Sequence, residues 1–147
     1  MRKFLMTGML SLTLCSCSNI TKEENLWCLV MCALLLCHYL GDFCLTTKAI
    51  IRAKSNGSEL QYILLHAIIH AALMTFALYL FKVPLGGCLA AFFIQFCTHF
   101  FIDTGKSILT ANVEKLKDTT SKAYWAVFGF DQFLHLLVIV FLSYCYS

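Results

Sequence analysis

Four stretches, about 26–45, 60–81, 85–103 and 125–144, run for roughly twenty residues, each with at most one Asp, Glu, Lys or Arg. Twenty helical residues measure about 30 Å, the thickness of a bilayer's hydrocarbon core. Lone helices and closed barrels are the structures whose backbones satisfy themselves in lipid. A chain with four such stretches is therefore predicted to be an all-α, polytopic membrane protein built as a four-transmembrane-helix bundle. Composition agrees. Of 147 residues, 60% are hydrophobic and 13% charged, where a soluble domain carries about 25% charged residues. The net charge of +3 comes from basic residues in the loops. It points to membrane topology and not to nucleic acid.

The first residues form a separate unit. Met1-Arg2-Lys3 precedes an apolar run over 4–14 and then Cys15-Ser16-Cys17. Residues 1–17 read as a signal peptide; Leu14-Cys15-Ser16-Cys17 also has the shape of a lipoprotein signal that would lipidate Cys17. The rival is an uncleaved signal anchor over 4–20. Residues 18–147 are then the membrane domain. Six cysteines, Cys28, Cys32, Cys37, Cys44, Cys88 and Cys97, lie in the apolar runs or at their ends with no CxxC pair. They read as small apolar residues that let helices approach.

Loop charge predicts orientation. With the N-terminus in the cytoplasm, Arg2, Lys3, Lys48, Arg52, Lys54, Lys106, Lys115, Lys117 and Lys122 fall inside, and Lys22 and Lys82 outside. The expectation is a bacterial inner-membrane protein with cytoplasmic basic loops and an external C-terminus. Lys48, Arg52 and Lys54 read as topology charges.

Within the apolar runs, ionisable residues recur at one spacing. His38/Asp42, His66/His70, His99/Asp103 and Asp131/His135 are each four residues apart, and together they use all five histidines and three of the four aspartates. Side chains at i and i+4 share a helix face. In the predicted topology every pair falls within roughly 15 Å of the cytoplasmic boundary. Each ionisable group at membrane depth costs a few kcal/mol without partners, so four pairs at one level point to a shared intramembrane site.

His38, Asp42, His66, His70, His99, Asp103, Asp131 and His135 form a candidate ligand set for one or two divalent ions. Imidazole and carboxylate without thiolate suit Zn, Mn, Fe or Co. Asp42, Asp103 and Asp131 are also candidates for an acid–base role. Lys106, one turn past Asp103, is a candidate for holding an anionic group, or else a snorkelling interfacial lysine. Gln132, beside Asp131, is a candidate for orienting a ligand or for hydrogen-bonding across helices. A network of His–Asp hydrogen bonds with no metal satisfies the same pattern.

At these residues the chain resembles a small bacterial membrane family, domain of unknown function 3307. The residues carrying the resemblance are His38/Gly41/Asp42/Phe43, His66/His70, His99/Asp103/Lys106 and Asp131/Gln132/His135. One departure is visible, Thr46 where the family pattern has glutamine. The resemblance implies a polytopic membrane protein with a functional centre and supplies no reaction. Two function classes follow. One is a metal-dependent hydrolase or transferase acting on a membrane lipid or lipid-linked substrate. The other is a metal or proton transporter or sensor, which four spans would build as a homo-oligomer, or a structural partner. The apolar outer halves of the spans favour the enzyme.

Overall fold

A computed structural model describes residues 22–147. The candidate signal segment, with Cys15 and Cys17, lies outside the described residues. The chain forms α1 (Lys22–Tyr39), a π-helical turn (Leu40–Cys44), α2 (Lys48–Asn56), α3 (Leu60–Leu80), α4 (Leu85–Asn112), a 3-10 turn (Glu114–Leu116) and α5 (Lys122–Tyr146). No strand occurs among the described residues. The stretches Asn25–Cys44, Leu60–Leu80, Leu85–Asn112 and Lys122–Tyr146 are long and apolar enough to cross a membrane.

These four helices close a ring in the order α1, α3, α4, α5, each packed on its two neighbours. Their outward faces carry large apolar side chains such as Leu36, Phe76, Phe93, Phe101 and Phe141, all exposed. The inward faces divide along the bundle axis. At one end Val30, Leu34, Met74, Leu78, Cys88, Ala91, Ile139 and Leu142 form a dry layer. At the other, His38, His66, His70, Gln95, His99, Asp103, Asp131 and His135 are buried. Apolar outside and polar inside is the arrangement lipid demands. Ala67, Ala71, Ala77 and Ala91 on the inner faces allow the close backbone approach on which packing between apolar helices depends.

Two segments differ from the sequence expectation of plain polar loops. Residues 48–56 form α2. Its N-terminus is capped by Thr47, whose Oγ1 accepts from the Ile50 amide at 3.3 Å. Its C-terminus is closed by Gly57 at φ 65°, the left-handed cap that the Asn56-Gly57 dipeptide signals. Glu59 follows at φ 61°, a conformation unfavourable for a side-chain-bearing residue. Arg52 holds it there with two hydrogen bonds of 3.0 Å to its carboxylate. The second segment is the end of α4, which runs on to Asn112 and measures about 42 Å in all. That exceeds the hydrocarbon core, so its last turns project beyond it. α2 packs on this extension, where Ser107 Oγ donates to the Ala53 carbonyl at 2.8 Å with both residues buried.

Candidate metal centre

Each span delivers its pair from one face, as the four-residue spacing requires. His38 Nε2 lies 3.4 Å from Asp42 Oδ2, His99 Nε2 lies 3.3 Å from Asp103 Oδ2, and His135 Nδ1 lies 3.9 Å from Asp131 Oδ1. The His66 and His70 rings are 4.5 Å apart between centroids. Across helices the pairs converge. His70 stacks on His99 at 3.9 Å, His99 meets His135 at 4.4 Å, and His38 meets His70 at 5.1 Å and His135 at 5.2 Å. All four spans thus contribute to one polar cluster.

Asp42 is its hub. Oδ1 lies 3.0 Å from His66 Nε2 and 3.4 Å from His70 Nε2, while Oδ2 accepts from Gln132 Nε2 at 3.2 Å. The π-helical turn carries Asp42, with the Leu45 amide bonded to the Leu40 carbonyl at 2.9 Å. Such turns widen a helix locally and often mark functional sites. Gly41 in the same turn is buried, and a Cβ there would stand 2.5 Å from His70 Cε1. Only a residue without a side chain lets the His70 ring approach α1 this closely. Thr46 donates to the Gly41 carbonyl at 3.1 Å, tying the start of the following loop to the turn.

Lys54 is the site residue that sequence reasoning missed. Its Nζ lies 3.0 Å from Asp103 Oδ2, 3.4 Å from Asp42 Oδ1 and 3.3 Å from His66 Nε2. Burial acts to lower its pKa, but the Asp103 and Asp42 carboxylates outweigh that and raise it, so the ammonium stays charged. Read as a topology charge, it instead enters the cluster because α2 folds back against α3 and α4. The signal for this in the sequence is weak. Lys54 stands four residues after the buried Ile50 and shares its face once 48–56 is helical. A segment read as a polar loop has no such face.

Tautomers follow from the partners. A backbone carbonyl only accepts, so the 2.8 Å bond between His135 Nδ1 and the Asp131 carbonyl fixes a proton on Nδ1. In the neutral imidazole the Nε2 lone pair is then free, and that atom is buried without a partner. Holding one ring nitrogen through an acceptor so that the other ligates is the usual support for a metal-binding histidine. Both nitrogens of His70, Nδ1 of His66 and Nε2 of His99 are likewise buried without a hydrogen-bond partner, as are both Asp103 oxygens. The 3.0–3.4 Å approaches to Asp103 and His70 are thus electrostatic contacts without hydrogen-bond alignment. Gln95 faces His99 Nδ1 at 3.4 Å and has an unpartnered Oε1. Turning its amide over would let Nδ1–H donate to that oxygen.

Two overlapping sets bring one ligand atom per residue within 4.8 Å of one another: Asp42, His66, His70 and His99, and His99, Asp103 and His135. The donor types and the orphaned buried nitrogens fit a divalent ion. His99 belongs to both sets, and with Gln95 at its Nδ1 they compete for Nε2. His38 and Asp131 stand outside both sets. His38 Nε2 is shared between Asp42 and Gln132 Oε1, the latter at 3.4 Å. Asp131 Oδ2 pairs with Lys106 Nζ at 2.8 Å, and its carbonyl holds His135. They sit where partners of the ligands would be.

The cluster communicates with the outside at its own end of the bundle. A vestibule of about 180 Å³ is lined by Asp42, Lys54, Lys106, Tyr124, Phe128 and Gln132, among others. The Lys106 ammonium also lies 5.0 Å over the Phe128 ring. At the opposite end the dry layer closes the interior.

Nothing among the curated proteins or the solved structures matches the chain. The family model described as Protein of unknown function (DUF3307) matches residues 30–147. That span takes in every member of the His/Asp cluster together with Lys54, Lys106 and Gln132, and the chain belongs to this family.

Proposed function

We propose that the protein is a bacterial inner-membrane enzyme with a metal centre at the cytoplasmic end of its bundle, a hydrolase or transferase acting on a lipid or lipid-linked substrate. The observation that carries this reading is the convergence on Asp42 of imidazoles from α3 and α4 whose buried nitrogens have no partner. Leaving each such group unpaired costs about 1–3 kcal/mol. A bound cation offsets that penalty for several at once. Asp42, His66, His70 and His99 would hold the ion, or His99 with Asp103 and His135 as the alternative set, and a divalent ion there would supply a Lewis acid and an acidified water. The chain's own residues do the rest. Gln132 orients Asp42, the Asp131 carbonyl keeps the His135 proton on Nδ1, and Lys106 holds an anionic group at the vestibule. Behind the cluster the dry layer excludes water from the far side, which also argues against a through-going transport path.

A second reading has one specific observation in its favour. Lys54 brings an ammonium within 3.4 Å of both Asp42 and Asp103, so half of their negative charge is balanced without an ion. In that case the cluster is a structural network. Reconstitution separates these readings. In liposomes of bacterial polar lipids with added divalent metal, lipid turnover detected by mass spectrometry supports the enzyme. Metal uptake without turnover supports a transporter, and neither activity leaves the network.

A further inference from the structure

The vestibule is not the sole opening onto this end of the bundle. A groove of about 400 Å³ lies between α4 and α5 and is walled by Phe101, Leu109, Val127 and Leu134, among others. It faces outward from two membrane-spanning helices at the level where α4 runs past the hydrocarbon core, so its apolar wall adjoins the bilayer near the headgroups. Its wall includes two polar side chains, Lys106 and Asp131, and Asp131 is its one buried residue. Lys106 lines the vestibule as well. One ammonium therefore stands where an apolar path from the bilayer meets a polar chamber carrying a second ammonium, Lys54. Of the charged side chains that line the vestibule, two are ammonium groups and one, Asp42, is a carboxylate; Lys54 is further paired with Asp103 at 3.0 Å, which leaves Lys106 as the ammonium at the mouth. The Lys106 ammonium has three donors, and one is committed to Asp131 at 2.8 Å.

We propose that groove and vestibule together form a binding site for an anionic membrane lipid, with a hydrocarbon chain between α4 and α5 and a phosphate-bearing headgroup at Lys106. A second copy of the chain fits less well, because an apolar helix face docked here would leave Lys106 and Asp131 covered with nothing polar to meet. The role of such a lipid as substrate rests on the enzyme reading above; its binding does not.

Gly105 provides the test variant. It lines the groove, is exposed, and a Cβ built on it meets nothing within 4 Å. Gly105→Leu thus fills the groove without disturbing the helix packing. Native mass spectrometry of the detergent-purified protein with phosphatidylglycerol or phosphatidylcholine reads the outcome, with metal content measured on the same samples. The wild type should retain phosphatidylglycerol at least about fivefold over phosphatidylcholine, the preference expected of one lysine at an anionic headgroup. Lys106→Gln should remove that preference. Gly105→Leu should lose retention of both lipids at unchanged metal content. Equal retention of the two lipids by the wild type overturns the proposal. So does unchanged retention in Gly105→Leu, or a dimer that Gly105→Leu dissociates. Selective lipid retention in a protein without metal removes the metal centre and leaves this site standing; bound metal with no lipid selectivity removes this site alone.

Discussion

The backbone of Gly41 lies against the imidazole of His70, so close that a Cβ on Gly41 would stand 2.5 Å from His70 Cε1. This contact sets the distance between α1 and α3 at the level of the cluster, and with it the approach of His70 to Asp42. Gly41→Ala should push the ring away and destabilise the bundle by about 1–3 kcal/mol, the usual cost of overpacking. Metal affinity should fall at least roughly tenfold, since a shift of about 1.4 kcal/mol suffices. Gly129→Ala is the control, because its Cβ meets nothing within 4 Å. Thermal unfolding in detergent and a chelator competition assay measure both effects, and equal behaviour of the two variants would refute the packing argument.

A divalent ion held at this site would compete with Lys54 for the same carboxylates. In metal-free protein, Lys54→Met leaves Asp42 and Asp103 without their counter-charge, and stability should drop by about 3–5 kcal/mol. With metal present the loss should largely disappear. The variant should also bind the ion roughly tenfold more tightly, because the like charge that pairs with the same carboxylates is gone. Chemical unfolding with and without chelator reads the first effect and metal titration the second. Weaker metal binding by Lys54→Met would show that the ammonium supports the site instead of competing for it.

What the sequence made legible follows from helix period. Four i, i+4 pairs in apolar runs fix which faces point inward, and their order along the chain fixes their common level. Lys54 was not legible, because its burial depends on α2 folding back onto α3 and α4, and nothing in a short basic helix announces that. The end of α4 was hidden for a related reason. Gly105, Lys106 and Ser107 break the apolar pattern, yet Ser107 continues the buried stripe of His99 and Asp103 and is held by the Ala53 carbonyl. The π-helical turn at Asp42 has no composition signal at all. The separation of His38 and Asp131 from both ligand sets depends on Gln132 and Lys106, partners from other helices that spacing within a helix does not reveal.

The seven cysteines among the described residues are all free, and Cys28, Cys32, Cys44, Cys97 and Cys145 are exposed. None belongs to either ligand set. Replacing Cys28, Cys32, Cys44 and Cys97 with alanine should leave metal content unchanged within error. Metal analysis of the purified fourfold variant checks this, and loss of the ion on their removal would bring thiolate back into the ligand set.

The proposed metal centre holds its ion through imidazole and carboxylate. Its most direct test is elemental analysis of gently purified wild-type protein beside the His66→Ala/His70→Ala double variant. The expected result is at least about one divalent ion per chain in the wild type, and a loss of most of it in the variant, which lacks two of the four members of the larger set. Equal and negligible metal in both proteins, with the variant still folded, would rule out a metal centre and leave a hydrogen-bonded and ion-paired network of His, Asp and Lys54 as the description of this site.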